Sequence, residues 1–331
     1  MDIFSHLFSS YAIGLSFKDK NRHIFFVLGG ILPDFDIFLY PIAMTSPYLF
    51  LLKHRTLFHS PFLVWLWAVI WYVITIKLLD IKYSVDTLAI TLIGAYYHLL
   101  LDFLTTSSIH LYPFGNLARM PIFNGDTLVI EVFNGVLALI FLILYGRKII
   151  TCVIKREFSE LAVFLFNGYF KRKFQKVLKV YLLVFSIVLL FHAMQYYHLQ
   201  NISQNYPGKT AVIAPRLYNS VDWFIIKDEG DTYRIIYYNV FNGITGEEVF
   251  EKVEIINGSI IEAYIAIEIA KDNPYIRELL YSGKPYIIKV YQRTDGTWVT
   301  IWINIERYID AGFPFVSMIR RYKTTVEIKL R

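Results

Sequence analysis

Four histidines and three aspartates in the first 102 residues stand in or beside apolar stretches, and these are the side chains that bind metal ions. The sharpest pair lies in Tyr96-Tyr97-His98-Leu99-Leu100-Leu101-Asp102. On a helix, an i,i+4 spacing stacks the two side chains on one face, so an imidazole and a carboxylate reach the same point. That point holds either a cation or a His–Asp hydrogen bond joining helices. Asp34 and Asp36 form a second pair, in Leu32-Pro33-Asp34-Phe35-Asp36. Proline disfavours a helical residue before it, so the pair is expected at an irregular point in an apolar run. Two carboxylates so close in a low dielectric repel unless a cation separates them or one stays protonated; a hydrated surface loop is the plainer alternative. The third group is His54-Arg55-Thr56-Leu57-Phe58-His59-Ser60-Pro61. Ser60 suits an N-cap and Pro61 a first helical residue, which places His59 just before a helix. Arg55 is suited to grip a phosphate or carboxylate with two hydrogen bonds. His6 lies in the first apolar segment, and Glu131 near the start of a later one.

Ionisable groups inside a membrane are costly and mark function by default. Together, His6, Asp34, Asp36, His54, His59, His98 and Asp102 exceed the roughly four ligands of one tetrahedral zinc. They suffice for one or two divalent ions, and two ions clamp the attacking and leaving oxygens of a phosphoester. Mixed His and carboxylate ligation suits zinc, iron or manganese; zinc is the first expectation.

The elements that carry these residues read as membrane spans. Of 331 residues, 56% are hydrophobic and only 18% charged, with mean hydropathy +0.44. Roughly 20 apolar residues cross a hydrocarbon core, and Pro61–Leu79, Thr87–Leu104, Leu128–Tyr145 and Val177–Tyr197 meet that length. Residues 3–17 and 24–43 are shorter or interrupted, and each is a span, a re-entrant piece or an interfacial helix. Nine of the 17 basic residues in the first 200 lie between Arg147 and Lys179. Such a cluster between apolar runs marks a cytoplasmic loop rather than a nucleic-acid surface. With six crossings, this loop, Lys82 and the Lys18–Arg22 segment share the cytoplasmic side. Met1, the carboxy-terminal domain and the His/Asp set then fall outside or in the outer leaflet. Cys152 is the single cysteine, which excludes an internal disulfide. Met1 to Phe17 lacks the basic start of a cleavable signal peptide.

From Asn201 the texture changes, and charge is balanced at 16 basic and 16 acidic residues. Val221–Ile226, Tyr233–Val240, Tyr286–Tyr291 and Trp298–Ile305 read as strands, separated by the turn chemistry of residues 228–231, 242–243 and 295–296. Ile260–Lys271 has helical spacing. The expected architecture is an α-helical transmembrane bundle of four to six membrane segments over residues 1–200. A small α+β, mostly antiparallel, soluble domain follows over 201–331. Asn201 and Asn257 begin glycosylation sequons. His192 and His198 are read as interfacial, and His23 and His110 as loop residues.

An early histidine, Pro33-Asp34-x-Asp36, His54-Arg55-x-x-x-His59-Ser60 and His98-x-x-x-Asp102 together resemble the YdjM-type membrane-bound metal-dependent hydrolases. The resemblance covers roughly residues 1–125, with a looser likeness at Ala214-Pro215 and Asp222-Trp223 to members carrying a β-rich domain. It implies a metal-dependent hydrolase in the cell membrane, with a site distantly similar to zinc-dependent phospholipases C. On that reading a metal-activated water attacks an ester or phosphoester, a phospholipid among the candidates. Arg55 stabilises developing charge, and Asp36 or Glu131 serves as base. The expected partners are the lipid bilayer and such a substrate, with no nucleic acid. The rival reading is a metal or proton transporter or a metal sensor. It is disfavoured because no polar series is seen continuing from the set towards the cytoplasm. A third reading makes the bundle an anchor for a binding domain.

Overall fold

Apolar helices dominate the amino-terminal part of the computed structural model. It describes residues 3–43, 56–104, 128–157, 168–216, 221–281, 284–310 and 323–330, with positions 45, 109–110, 117–118, 160, 164 and 219. The chain divides into two compact units, one of residues 1–44 and 51–193 and one of residues 45–50 and 194–331.

In the first unit, α1 (Ile3–Gly14) and α2 (Lys20–Ile31) come first. Asp19 caps α2, accepting the Asn21 backbone N–H at 2.8 Å. A seven-residue 3-10 turn, Leu32–Phe38, continues α2 and leads to the short α3 (Tyr40–Ala43). Leu32 stays in the right-handed helical region (φ −60°, ψ −44°), contrary to the extended residue expected before Pro33. The chain accommodates the missing proline N–H by tightening to 3-10 geometry. A second 3-10 turn, Leu57–His59, precedes α4 (Val64–Leu78). The helix begins three residues later than the expected Pro61. Ser60 still caps the intervening turn, its Oγ accepting the Phe62 N–H at 3.3 Å and its carbonyl the Val64 N–H at 2.9 Å. Next come α5 (Val85–Leu104), the two-residue strands β1 (Ile109–His110) and β2 (Leu117–Ala118), α6 (Leu128–Ile154) and α7 (Gly168–Ser203).

Three stretches among the described residues are long and apolar enough to cross a membrane: Lys20–Ala43, Val85–Leu104 and Gln175–Ser203. Val64–Leu78 is apolar but shorter, and α1, with 12 residues, spans about 18 Å against a core of about 30 Å. The outward faces of α6 and α7 carry large apolar side chains. Ile143 is 72% exposed, Leu142 60% and Leu190 63%. Such a surface is a liability in water and ordinary in lipid. Inside, Phe8, Tyr11, Val27, Leu101, Leu137, Leu178 and Tyr181 form one core cluster joining α1, α2, α5, α6 and α7.

The contact between α2 and α5 is unusually close because glycines line it. A Cβ on Gly29 would overlap the Thr91 carbonyl oxygen, and one on Gly94 would overlap that of Phe26. Small residues let backbones approach where lipid supplies no hydrophobic drive between helices. At the opposite end of α5, the Tyr72 hydroxyl of α4 takes the Ser84 N–H and pairs with Thr87 Oγ1, both at 2.9 Å. Arg22 and Asp86 meet at 2.7 Å on the exposed side.

Among the described residues, the second unit holds two four-stranded sheets. The first is a meander of β3 (Lys209–Pro215), β4 (Asp222–Asp228), β5 (Thr232–Asn239) and β6 (Gly243–Glu251), antiparallel throughout. The second has the order β10 (Lys323–Ile328), β9 (Trp298–Asn304), β8 (Tyr286–Gln292) and β7 (Val253–Ile255). Its β7–β8 pair is parallel and the others antiparallel. A parallel pair needs a crossover, supplied by α8 (Ile260–Ala270) and α9 (Pro274–Tyr281). The short α10 (Ile305–Asp310) follows β9.

The sheets share a core of Val212, Phe224, Ile226, Ile235, Ile287 and Ile303. The other face of the first sheet packs Ile213, Trp223, Ile225 and Ile236 on Leu199 and Ile202 at the end of α7. That of the second packs Ile288, Val290, Trp298 and Trp302 on Ala263, Ala266 and Ile267 of α8. Both sheets are therefore covered on both faces, which explains why their strands alternate only partly in sequence. Lys227, buried on β4, donates from Nζ to the Ser203 carbonyl at 3.0 Å and to Thr210 Oγ1 at 3.1 Å. A cation there satisfies the last carbonyls of a helix and opposes its dipole.

Candidate metal centre

Four elements deliver the polar side chains to one point in the first unit. α5 supplies His98 and Asp102, one turn apart. The 3-10 turn after α2 supplies Asp34 and Asp36, the turn before α4 supplies His59, and α1 supplies His6. All six are buried; Asp34, at 3%, is the most exposed of them. The reading of Asp34 and Asp36 as hydrated loop acids does not survive this burial.

Four donor atoms face one another. His59 Nε2 and His98 Nε2 are 3.2 Å apart. Asp34 Oδ1 lies 3.5 Å from the first and 3.6 Å from the second. Asp102 Oδ2 lies 3.4 Å and 3.5 Å from the same two atoms. A tetrahedral ion with bonds of about 2.0–2.2 Å holds its ligand atoms about 3.3–3.6 Å apart. The five separations span 3.2–3.6 Å. N–H···O hydrogen bonds concentrate near 2.9–3.0 Å, so the uniform longer spacing fits coordination better than a hydrogen-bonded knot.

The tautomers point the same way. His98 Nδ1 is 2.8 Å from the Gly30 carbonyl oxygen, which can only accept. A proton on Nδ1 satisfies that carbonyl, and in the neutral imidazole it leaves the Nε2 lone pair facing the centre. His59 Nδ1 is 3.2 Å from Asp36 Oδ2, and a proton on that nitrogen leaves its own Nε2 lone pair facing inward. Two imidazoles and two carboxylates converging in a buried site could hold a metal ion.

His6 approaches from the other side. Its Nε2 is 3.3 Å from Asp102 Oδ1, the oxygen turned away from the tetrahedron. Its ring stacks on His98 at 3.6 Å between centroids. His6, His98 and Asp102 thus form a second, overlapping ligand group beside Asp34, His59 and His98. The described residues offer ligand groups for one ion, with His6 and the other Asp102 oxygen beside them.

His54 and Arg55 lie outside the described residues, as does the side chain of Glu131, whose backbone belongs to α6. His23 belongs to α2 rather than a loop, buried with its ring 4.6 Å from that of Tyr11. His110 lies on β1, its side chain outside the described ones. His192 is buried on α7, and His198 pairs with the Tyr238 hydroxyl at 3.1 Å. Gly30 is a contributor that sequence reasoning missed, since a backbone carbonyl carries no residue-type signal. A further grouping, Cys152 with Glu157 and Glu160, sits away from these elements, its exposed Glu160 already bound to Lys148 at 2.8 Å. In the second unit, a cavity of about 640 Å³ is lined by Arg216, Asp222, Tyr237, Glu248 and Tyr308 among others.

Membrane-length apolar helices around a buried His/Asp centre define an integral membrane protein with a candidate metal site. Residues 1–199 match the family described as YdjM inner membrane protein. The chain belongs to that family. No curated protein and no solved structure matches it.

Proposed function

We propose that the protein is a membrane-embedded metal-dependent hydrolase acting on an ester or phosphoester. The observation that carries the reading is the set of four donor atoms from three separate elements, with five separations of 3.2–3.6 Å. His59, His98, Asp34 and Asp102 would hold the ion, with zinc the best fit to two nitrogens and two carboxylates at this spacing. A bound divalent ion of this kind supplies Lewis acidity and makes water a nucleophile near neutral pH. His6, 3.3 Å from Asp102 Oδ1, would pass a proton to or from that carboxylate. Arg55, from the segment leading into the His59 turn, is the expected partner for negative charge on the substrate. Glu131 is the further candidate base.

The topology that fits this reading has residues 1–200 as the membrane domain and 201–331 as a domain on the extracytoplasmic side. The basic loop between Arg147 and Lys179 supports it through the positive-inside rule, and six crossings would set the His/Asp residues in the outer leaflet. A lipid reaching the site from the bilayer is then the natural substrate. The test is product release from phospholipid vesicles carrying the reconstituted protein. Chelator-sensitive release of a phosphorylated headgroup or a fatty acid, lost in Asp34→Asn, is the expected result. A metal-loaded protein inert on phospholipids and on soluble esters and phosphoesters alike would overturn it.

A second reading, a metal sensor or transporter, draws on one observation. Buried polar residues do continue beyond the site along α1, α2 and α5: Ser9, Ser10, Thr91 and His23. The sequence argument against transport is weaker to that extent. Metal uptake into proteoliposomes would favour this reading.

A further inference from the structure

Asp36 stands apart from the other acidic residue of its turn. Its Oδ2 faces His59 Nδ1 at 3.2 Å, whereas Asp34 Oδ1 faces His59 Nε2 at 3.5 Å. The two ring nitrogens of an imidazole point in different directions, so a carboxylate on Nδ1 sits behind the ring when Nε2 binds an ion. Both partners are buried, with side-chain exposures of 1% for His59 and 0% for Asp36. The 3-10 turn produces this division. With about three residues per turn, Asp34 and Asp36 cannot present their carboxylates in the same direction. Asp34 meets the tetrahedron and Asp36 meets the back of His59. His98 has the corresponding support from the Gly30 carbonyl at 2.8 Å.

We propose that Asp36 is a positioning residue and not a ligand: it accepts the His59 Nδ1 hydrogen bond and keeps the Nε2 lone pair aimed at the ion. The assignment rests on the metal-centre reading above. A carboxylate behind a ligating histidine fixes the tautomer and ring orientation and raises the basicity of the ligand nitrogen, and losing it weakens metal affinity about 10–100-fold.

Cobalt(II) titration of the detergent-purified full-length protein tests this, since the visible bands of cobalt report ligand number and geometry. The wild type should bind one equivalent with four-coordinate bands. Asp36→Ala should keep that stoichiometry and band shape with affinity about 10–100-fold lower. Asp36→Asn, whose amide oxygen still accepts from Nδ1–H, should fall between the two and provides the readout if the alanine variant does not fold. Asp34→Asn, by contrast, should change the bands or abolish binding. Bands altered in the Asp36 variants as in Asp34→Asn would make Asp36 a ligand and overturn the assignment, as would unchanged affinity. A folded wild type that binds no cobalt would overturn the metal-centre reading as well.

Discussion

At the scale of single residues, the proposed centre separates side chains that would hold the ion from those that would orient them. His59, His98, Asp34 and Asp102 face inward at 3.2–3.6 Å, so His59→Ala should leave no stoichiometric ion. His6 touches Asp102 Oδ1, not the Oδ2 that faces His59 and His98. His6→Ala is therefore expected to retain one equivalent with weakened affinity, and His23→Ala to bind as the wild type does. Elemental analysis after dialysis against a weak chelator distinguishes the three. Equal loss in His6→Ala and His59→Ala would make His6 a ligand of the same ion. The His98/Asp102 pair was legible because helical spacing alone fixes a shared face. The division of labour between Asp34 and Asp36 was not, since it depends on which ring nitrogen of His59 each meets across the bundle.

At the scale of elements, the site depends on how closely α2 and α5 approach. Gly29 and Gly94 leave no room for a Cβ, and the Gly30 carbonyl that orients His98 belongs to the same contact. Gly94→Leu should push the helices apart and lower metal affinity by at least about tenfold, in keeping with loss of an orienting partner. Gly135→Ala, on α6 with nothing within 4 Å of the added Cβ, should be neutral. Cobalt affinity checks both, and a Gly94→Leu protein with unchanged affinity would contradict the packing argument. In the second unit, Lys227→Met removes the Nζ bonds to Thr210 Oγ1 and to the Ser203 carbonyl, which keeps the Tyr206 N–H, and should destabilise the domain by about 1 kcal/mol, read from denaturant unfolding of the full chain. Four of the eight described strands there, β4, β5, β8 and β9, were legible from their composition and from turn chemistry at Asn242-Gly243 and Asp295-Gly296. The parallel β7–β8 pair was not, because strand order comes from contacts far apart in sequence. Hydropathy likewise found the apolar middle of α7 but not its ends: Gly168 to Gln175 is basic, and the last turn is amphipathic and packs on a sheet.

At the scale of the whole molecule, apolar outward faces and membrane-length helices place the protein in the bilayer, and the family match agrees. It should resist carbonate extraction and require detergent. The orientation proposed from loop charge has its own test. In a Cys152→Ser background, Asp295→Cys should react with a membrane-impermeant maleimide added to intact cells, and a cysteine at Lys155 should not. The opposite labelling would invert the topology and with it the proposed depth of the site. Composition and the positive-inside rule made the membrane class readable at once. The number of crossings was less so, because α1 and α4 are shorter than a full span and their roles depend on neighbours.

The most direct test of the account is the metal content of the detergent-purified protein after growth in metal-replete medium, for the wild type and for a His98→Ala/Asp102→Ala variant. About one equivalent of zinc, or of manganese or iron in its place, is expected in the wild type, and none in the folded variant. A folded wild type as empty as the variant would contradict a metal centre and return these residues to a structural or proton-carrying role.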